Sequence, residues 1–367
     1  MGCCGPRIQK SKNYNTSKMD YNKTPKVYES LSSEPILAIS MYKDIVAFGK
    51  GNNIAIYEET VSKIKCELIK HSNIISKIVF VDDDILISSS FDRSMIIWNY
   101  NNTSNNVINT LNKHQLAVTS FDVDKGKTEI LSGSRDYSVR EWNIRAGIEI
   151  RKKIIERNMC TCIKSMNSFN KVFIQCSEDL TLRLWDCRTT NDITKTCEAK
   201  VGTNFAISCD NDSSGNNIVT GHRGFEGVGC YLLLWDIRNI TEPKISWTFN
   251  GHNQSIEQCL FINDKTICTA SKDGTIRMID CMNGKELFNY SNIRGSPYSS
   301  MSFLNNKIIT GNIKGCIEKF ILEGNSIHSI DEFEFSPMNR DLTKSPASNI
   351  LFETQKSKIN QLDTKNV

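Results

Sequence analysis

The sequence predicts an all-β, seven-bladed propeller, and three observations carry that prediction. A β-rich motif recurs along the chain, its copies close on an aromatic or apolar residue at a near-constant period, and helical spacing of apolar residues is sustained nowhere between them. Four copies align without gaps: SSSFDRSMIIWN (Ser88 to Asn99), SGSRDYSVREWN (Ser132 to Asn143), QCSEDLTLRLWD (Gln175 to Asp186) and TASKDGTIRMID (Thr269 to Asp280). Each places an acid (Asp92, Asp136, Asp179, Asp273) six residues before its closing position, which is Trp98, Trp142, Trp185 and Ile279 in turn. A fifth copy closes YLLLWD at Trp235, and weaker copies close at Tyr57 and Phe320. The closing positions are separated by 41, 44, 43, 50, 44 and 41 residues, the spacing of one four-stranded blade.

The local patterns agree. A short β-rich stretch precedes each acidic turn, as in ILIS or VFIQC, and a second one with alternating apolar residues follows, as in MIIW or TLRLW. A blade cannot cover both its own faces, so neighbouring blades must bury them and the ring must close. The propeller is expected over residues 25–335. Two alternating segments compete for the outer strand of the last blade, PKVYESL (Pro25 to Leu31) and IHSIDEFEF (Ile327 to Phe335), and the N-terminal one is favoured. Residues 1–24 read as a flexible segment, and residues 336–367, polar with two Ser-Pro steps, read as a disordered tail.

These motifs resemble the WD-repeat superfamily from about Pro25 to Phe335. Two stretches, FIQCSEDLTLRLWDCR (Phe173 to Arg188) and the glycine-rich GFEGVGCYLLLWDIR (Gly224 to Arg238), are similar to the family of WD repeat-containing protein 31. The resemblance implies a non-catalytic scaffold in ciliary, intraflagellar cargo traffic, with trafficking or small-GTPase regulatory proteins as partners. It also implies that the His, Ser, Asp and closing Trp of a blade form a buried hydrogen-bonded network. Departures are Gly51 and Lys314, which stand where blades one and seven should carry the acid, and Ile279 in blade six, where the missing indole predicts a weaker network.

Composition excludes several classes. A net charge of +4 over 367 residues, with no dense basic block, gives no nucleic-acid footprint. No apolar run approaches the roughly 20 residues needed to cross a bilayer, and the N-terminus lacks a secretory apolar core. Fourteen cysteines without a CxxC pair read as reduced, buried thiols rather than metal ligands or disulfides. Cys160 and Cys162, two apart on a strand, are expected to point the same way. No cofactor is expected.

His71, Ser90 and Asp92 have the composition of a nucleophilic triad, but His114, Ser134, Asp136 and His252, Ser271, Asp273 repeat it at blade period. A constellation that recurs with the repeat belongs to the fold. These residues, with Trp98, Trp142, Ser177, Asp179 and Trp185, are therefore read as structural. The run GHRGFEGVGC lacks the Gly-Lys-Ser/Thr ending of a phosphate loop and precedes a strand, so nucleotide binding is set aside. It falls between the second and third strands of blade five, where His222, Arg223, Phe225 and Glu226 would be displayed to a partner. The residues before the repeat acids, Phe91, Arg135, Glu178 and Lys272, and Tyr137 after one of them, are candidates for the same face. Arg188 and Arg238 extend the blade endings to WDCR and WDIR, which look like the paired motifs of substrate receptors for cullin-type ubiquitin ligases.

Outside the repeats, Met1-Gly2-Cys3-Cys4 offers a myristoylation site at Gly2 and palmitoylation sites at Cys3 and Cys4, two acyl signals being what stable membrane attachment requires. Pro6 stands where the pattern prefers Ser or Thr. The expected setting is the cytoplasm, at a membrane or in the cilium.

Overall fold

A computed structural model of the protein describes residues 34–102, 105–189, 192–239, 243–292, 295–324 and 326–334. Among them every regular element is a strand, and the strands form seven antiparallel sheets of four, each built from four consecutive strands. Blade one, for example, comprises Ile39–Tyr42, Ile45–Lys50, Asn53–Glu58 and Lys63–Ile69. The propeller is a seven-bladed one, as the repeat spacing predicts. It lies in the first of two units, Met1–Phe335; residues 1–33 and the second unit, Ser336–Val367, lie outside the described residues.

The core is shared between blades. Ile87 and Ile97 of blade two pack with Phe121, Ile130 and Trp142 of blade three, and Leu182 and Leu184 of blade four with Ile218 and Trp235 of blade five. Each such side chain, fully buried, stabilises by about 1.5–3 kcal/mol. Trp98, Trp142, Trp185 and Trp235 are the largest of them. A β-bulge precedes the closing residue in all seven blades, between Ile97 and Trp98 or Leu184 and Trp185, for instance. The extra residue on the fourth strand adds local twist beside the bulky closing side chain.

Two expectations are corrected here. The outer strand of blade seven is Ser326–Glu334, which pairs along the whole of Cys316–Glu323, so the favoured N-terminal strand does not occupy that slot. The ring is instead closed by packing: Ile36, Phe48 and Tyr57 of blade one bury Ile309 and Ile317 of blade seven. Ser299 and Ser300 donate to the Ile36 carbonyl at 2.6 and 2.8 Å, and Lys307 and Lys319 each reach Glu59 at 2.6 Å. Nor do Cys160 and Cys162 share a face. A bulge between them breaks the alternation, so Cys160 packs with Phe173 and Trp185 while Cys162 packs toward blade five.

Candidate functional site

The recurrent His and Asp residues meet at one end of the propeller. The turn from second to third strand and the connection from the fourth strand to the next blade necessarily emerge at the same end of an antiparallel blade. In blade three the Trp142 Nε1–H donates to Ser132 Oγ at 2.8 Å, Ser132 Oγ lies 2.8 Å from His114 Nε2, and His114 Nδ1 lies 3.0 Å from Asp136. One tautomer satisfies the chain: the serine donates to Nε2, and Nδ1–H donates to the carboxylate. Asp136 also accepts the backbone N–H of Gln115 and Ser138, both at 2.9 Å. Blade two repeats the geometry with Trp98, Ser88, His71 and Asp92. Blade six repeats it with Thr269, His252 and Asp273, and Ile279 leaves the threonine without an indole donor.

The hydroxyl in each network is therefore not the one expected. Ser90, Ser134 and Ser271 sit two residues further along, where each accepts the N–H of the turn aspartate and donates to the incoming connection. Ser177 likewise accepts the Asp179 N–H, while Trp185 donates to Gln175. Gln175 bonds Asn158, which Arg183 links to Asp179. Sequence reasoning missed Ser88, Ser132, Thr269 and Gln175, since every second residue of a strand fits the pattern equally well.

Electrostatics follow from burial. Burial alone would raise the Asp136 carboxyl, but hydrogen bonds from His114 and Ser138 outweigh it and hold the group well below the usual carboxylate range. Burial also pushes His114 below its ordinary value against the pull of Asp136. At neutral pH the contact is thus a hydrogen bond to a carboxylate rather than an ion pair. A buried, fully satisfied histidine is a poor general base for an outside substrate.

Blade five differs. His222 is not displayed: it is fully buried at the end of the second strand, Asn217–His222. Trp235 donates to Thr220 Oγ1 at 3.0 Å, Thr220 Oγ1 lies 3.0 Å from His222 Nε2, and His222 Nδ1 bonds the Asn204 carbonyl at 2.8 Å. Burial lowers its pKa to about 4. Arg223, Phe225 and Glu226 are exposed on the loop that follows. Phe225 and Val228 exchange backbone hydrogen bonds, forming a tight knuckle that leaves their side chains 63% and 75% exposed.

The knuckle is tied at both sides. Gly227 N–H donates to the Asn253 carbonyl at 2.9 Å, Gly224 N–H to Ser255 Oγ at 3.2 Å, and the Asn204 amide to the Arg223 carbonyl at 2.8 Å. Gly229 is required: its φ is +78°, and a Cβ there would lie 1.7 Å from the Asn204 amide nitrogen. The Arg223 guanidinium sits 5.6 Å from the Phe205 ring centre. Phe205, Arg223, Phe225 and Val228 border a shallow hollow of about 480 Å³.

Of the other display candidates, Arg135, Tyr137 and Lys272 are exposed and Phe91 and Glu178 half-buried, all at this same end. Lys272 is ion-paired to Glu257 at 3.0 Å. Arg188 and Arg238 lie at the opposite end, each folded back through three guanidinium hydrogen bonds onto Asp186 or Asp236. Gly2, Cys3 and Cys4 lie outside the described residues. The twelve described cysteines are free thiols, all but Cys66 buried, and among the described residues no group of His, Cys, Asp and Glu has the arrangement to hold a metal ion.

Comparison with known proteins agrees with this architecture. The WD40 model, described as the WD domain, G-beta repeat, matches residues 62–99, 105–143 and 243–280. Similar proteins include a U3 small nucleolar RNA-associated protein 15 homolog of Xenopus tropicalis, 26% identical over 48% of this chain and 32% of its own length. The E3 ubiquitin-protein ligase COP1 of Pisum sativum is 21% identical over 60% of this chain and 32% of its own. Eukaryotic translation initiation factor 3 subunit I of Nematostella vectensis is 24% identical over 62% and 69%. The chain thus spans about a third of the length of the first of these relatives. Among solved structures, the computationally designed Ika8 protein superposes with a TM-score of 0.64 at 20% identity, covering 83% of this chain and 89% of that one, a likeness of fold alone. The chain carries WD40 repeats, set within a seven-bladed propeller.

Proposed function

We propose that the protein is a non-catalytic interaction scaffold that docks other proteins on the end of the propeller bearing the His–Asp turns. One observation carries the reading: a knuckle held by hydrogen bonds to two neighbouring connections holds Phe225 and Val228 out in water beside the Arg223–Phe205 stack. Exposed apolar side chains on a fixed backbone lose little entropy when a partner covers them, and aromatic and Arg residues are the usual interface anchors. The buried, repeating His and Asp residues support a structural role for the groups that resemble a triad.

The test is affinity purification of wild-type protein beside the triple variant Arg223→Ala, Phe225→Ala, Val228→Ala. Partners should be lost from the variant with its circular dichroism and melting curve intact. Binding retained with stability reduced would make the knuckle a packing element. The identities recovered decide the setting. The resemblance to the WD repeat-containing protein 31 family favours ciliary trafficking, with small-GTPase regulators among the partners, and acylation of Gly2, Cys3 and Cys4 would tether the scaffold to a membrane.

A second reading, substrate receptor of a cullin-type ubiquitin ligase, draws on the exposed Arg188 and Arg238 at the other end. One relative is by name a ubiquitin ligase. Cullin adaptors recovered by wild type and lost on Arg188→Ala with Arg238→Ala would favour it.

A further inference from the structure

We infer that blades two to four form a second docking site on the same end, one that takes an acidic segment of a partner protein. Arg93, Lys113, Arg135 and Arg157 supply the charge and Tyr137 the flat contact. This inference rests on the reading of that end as a docking face, but it concerns different residues from the knuckle and a different chemistry.

The placement follows from the networks. Lys113 directly precedes His114, and Arg135 and Tyr137 flank Asp136, so three displayed side chains border one buried His–Asp hydrogen bond. Arg93 follows Asp92 in blade two, and Arg157 precedes Asn158, the residue that takes the histidine's place in blade four. The anchored neighbours fix the backbone from which each cation projects. All four cations are exposed, and Tyr137 is 42% exposed.

None of the four makes an ion pair or side-chain hydrogen bond among the described residues. That is unlike Arg140, Arg151, Arg183, Arg188, Arg238 and Arg277, each of which is held by a carboxylate. Of the five described arginines that no carboxylate holds, three (Arg93, Arg135 and Arg157) lie on this one surface, with Arg223 on the knuckle and Arg145 at the opposite end. Cations without internal partners on adjacent blades leave their charge for an outside one.

The backbone alone does not make this distinction. Arg93, Tyr137 and Arg157 have φ of 76°, 64° and 61°, a left-handed conformation that L-residues adopt at a cost. At the turn position of Arg93 and Tyr137, blades six and seven use Gly274 and Gly315, with φ of 75° and 81°. Half-buried Leu180, at the same turn position in blade four, is left-handed too, with a φ of 66°. Lysines and asparagines in turns at the opposite end are also left-handed, so backbone shape alone marks nothing. What marks this surface is the coincidence of that cost with large side chains that have no internal partner.

A protein segment fits better than a nucleic acid. Exposed Glu156 and half-buried Glu178 stand among the cations, where a continuous phosphate track would meet them and spaced carboxylates need not. Leu116, 51% exposed two residues after His114, offers an apolar contact that phosphate cannot use.

The full-length protein should be probed by fluorescence anisotropy with Asp/Glu-rich dodecapeptides bearing one central Leu, Phe or Trp, with Lys-rich counterparts, and with oligouridine. The expected result is binding of the acidic set, weakened by salt. Arg93→Gly with Tyr137→Gly should weaken it by about tenfold or more and leave the melting temperature unchanged or raised, since glycine suits both positions. Arg135→Glu should weaken it likewise. The Arg223→Ala, Phe225→Ala, Val228→Ala variant should bind these peptides as wild type does. Acidic peptides bound no better than basic ones, oligouridine bound more tightly than either, or undiminished binding by the glycine variant would overturn the inference. Partner loss confined to the knuckle variant would do so too, while leaving the docking-face reading in place.

Discussion

Removing the Asp136 carboxylate tests whether the buried network holds a blade to its neighbour's connection. Asp136→Ala deletes the acceptor of four hydrogen bonds, from His114 Nδ1, the Gln115 and Ser138 backbone N–H groups, and Ser138 Oγ at 2.5 Å. Gln115 is exposed, so water will serve its N–H. His114 and Ser138 are buried, and Ser138 Oγ, 3.2 Å from His114 Nδ1, can accept the histidine proton in part. Bonds to a charged acceptor contribute about 1.5–3 kcal/mol each and a stranded buried donor costs about 1–3 kcal/mol. With two donors rescued, the expected loss is about 2–4 kcal/mol, a large share of the roughly 5–15 kcal/mol that stabilises a typical fold. Urea unfolding should show a lower midpoint at unchanged slope. His114→Phe in a double-mutant cycle should give a coupling of about 1–2 kcal/mol. The sign with pH is also set: because the folded carboxyl is held below its usual range, its contribution is present above the unfolded pKa and lost as pH falls through the folded one. The variant should therefore show a flatter acid limb. A loss below about 1 kcal/mol, or no coupling to His114, would refute the relay.

Three further outcomes are expected. Ser132→Ala should destabilise by about 1–3 kcal/mol because it strands the Trp142 indole N–H, whereas Ser134→Ala should cost about 1 kcal/mol; the reverse order in thermal unfolding would contradict the observed pairing. Since burial lowers His222 to about 4 from an unfolded value near 6.5, the unfolded chain binds the extra proton between those values. Stability should fall as pH drops through that window, and less steeply in His222→Gln; equal slopes would mean another group titrates. If the N-terminus is acylated, Gly2→Ala should abolish membrane attachment, and Cys3→Ser with Cys4→Ser should leave only transient association. Wild-type protein that is wholly soluble with an unmodified N-terminal peptide would end that idea.

How much was legible follows from what each feature depends on. The seven closing positions recur in sequence because every blade buries a bulky side chain at the same place between neighbours, so period alone finds them. Register was not legible. Ser88 and Ser90 both alternate correctly, and the indole reaches Ser88 only because Trp98 pairs with Leu86 across the hairpin. The bulge at Cys160 inverts a face without leaving any residue signature. The glycines after His222 suggest a loop that displays it, whereas its strand runs on through the histidine itself.

In blades two, three and six the turn aspartate binds the incoming histidine, so the turn must stay short and keep its acid in place. Blade five moves its histidine to the second strand and gives it the Asn204 carbonyl as acceptor. The Trp–hydroxyl–histidine chain is then complete without any residue of the turn. Relieved of that duty, the turn can lengthen into the Arg223–Cys230 loop and take its anchorage from Asn204, Asn253 and Ser255 instead. Blade five thus joins a network that is closed without the turn to a turn long enough to display the knuckle.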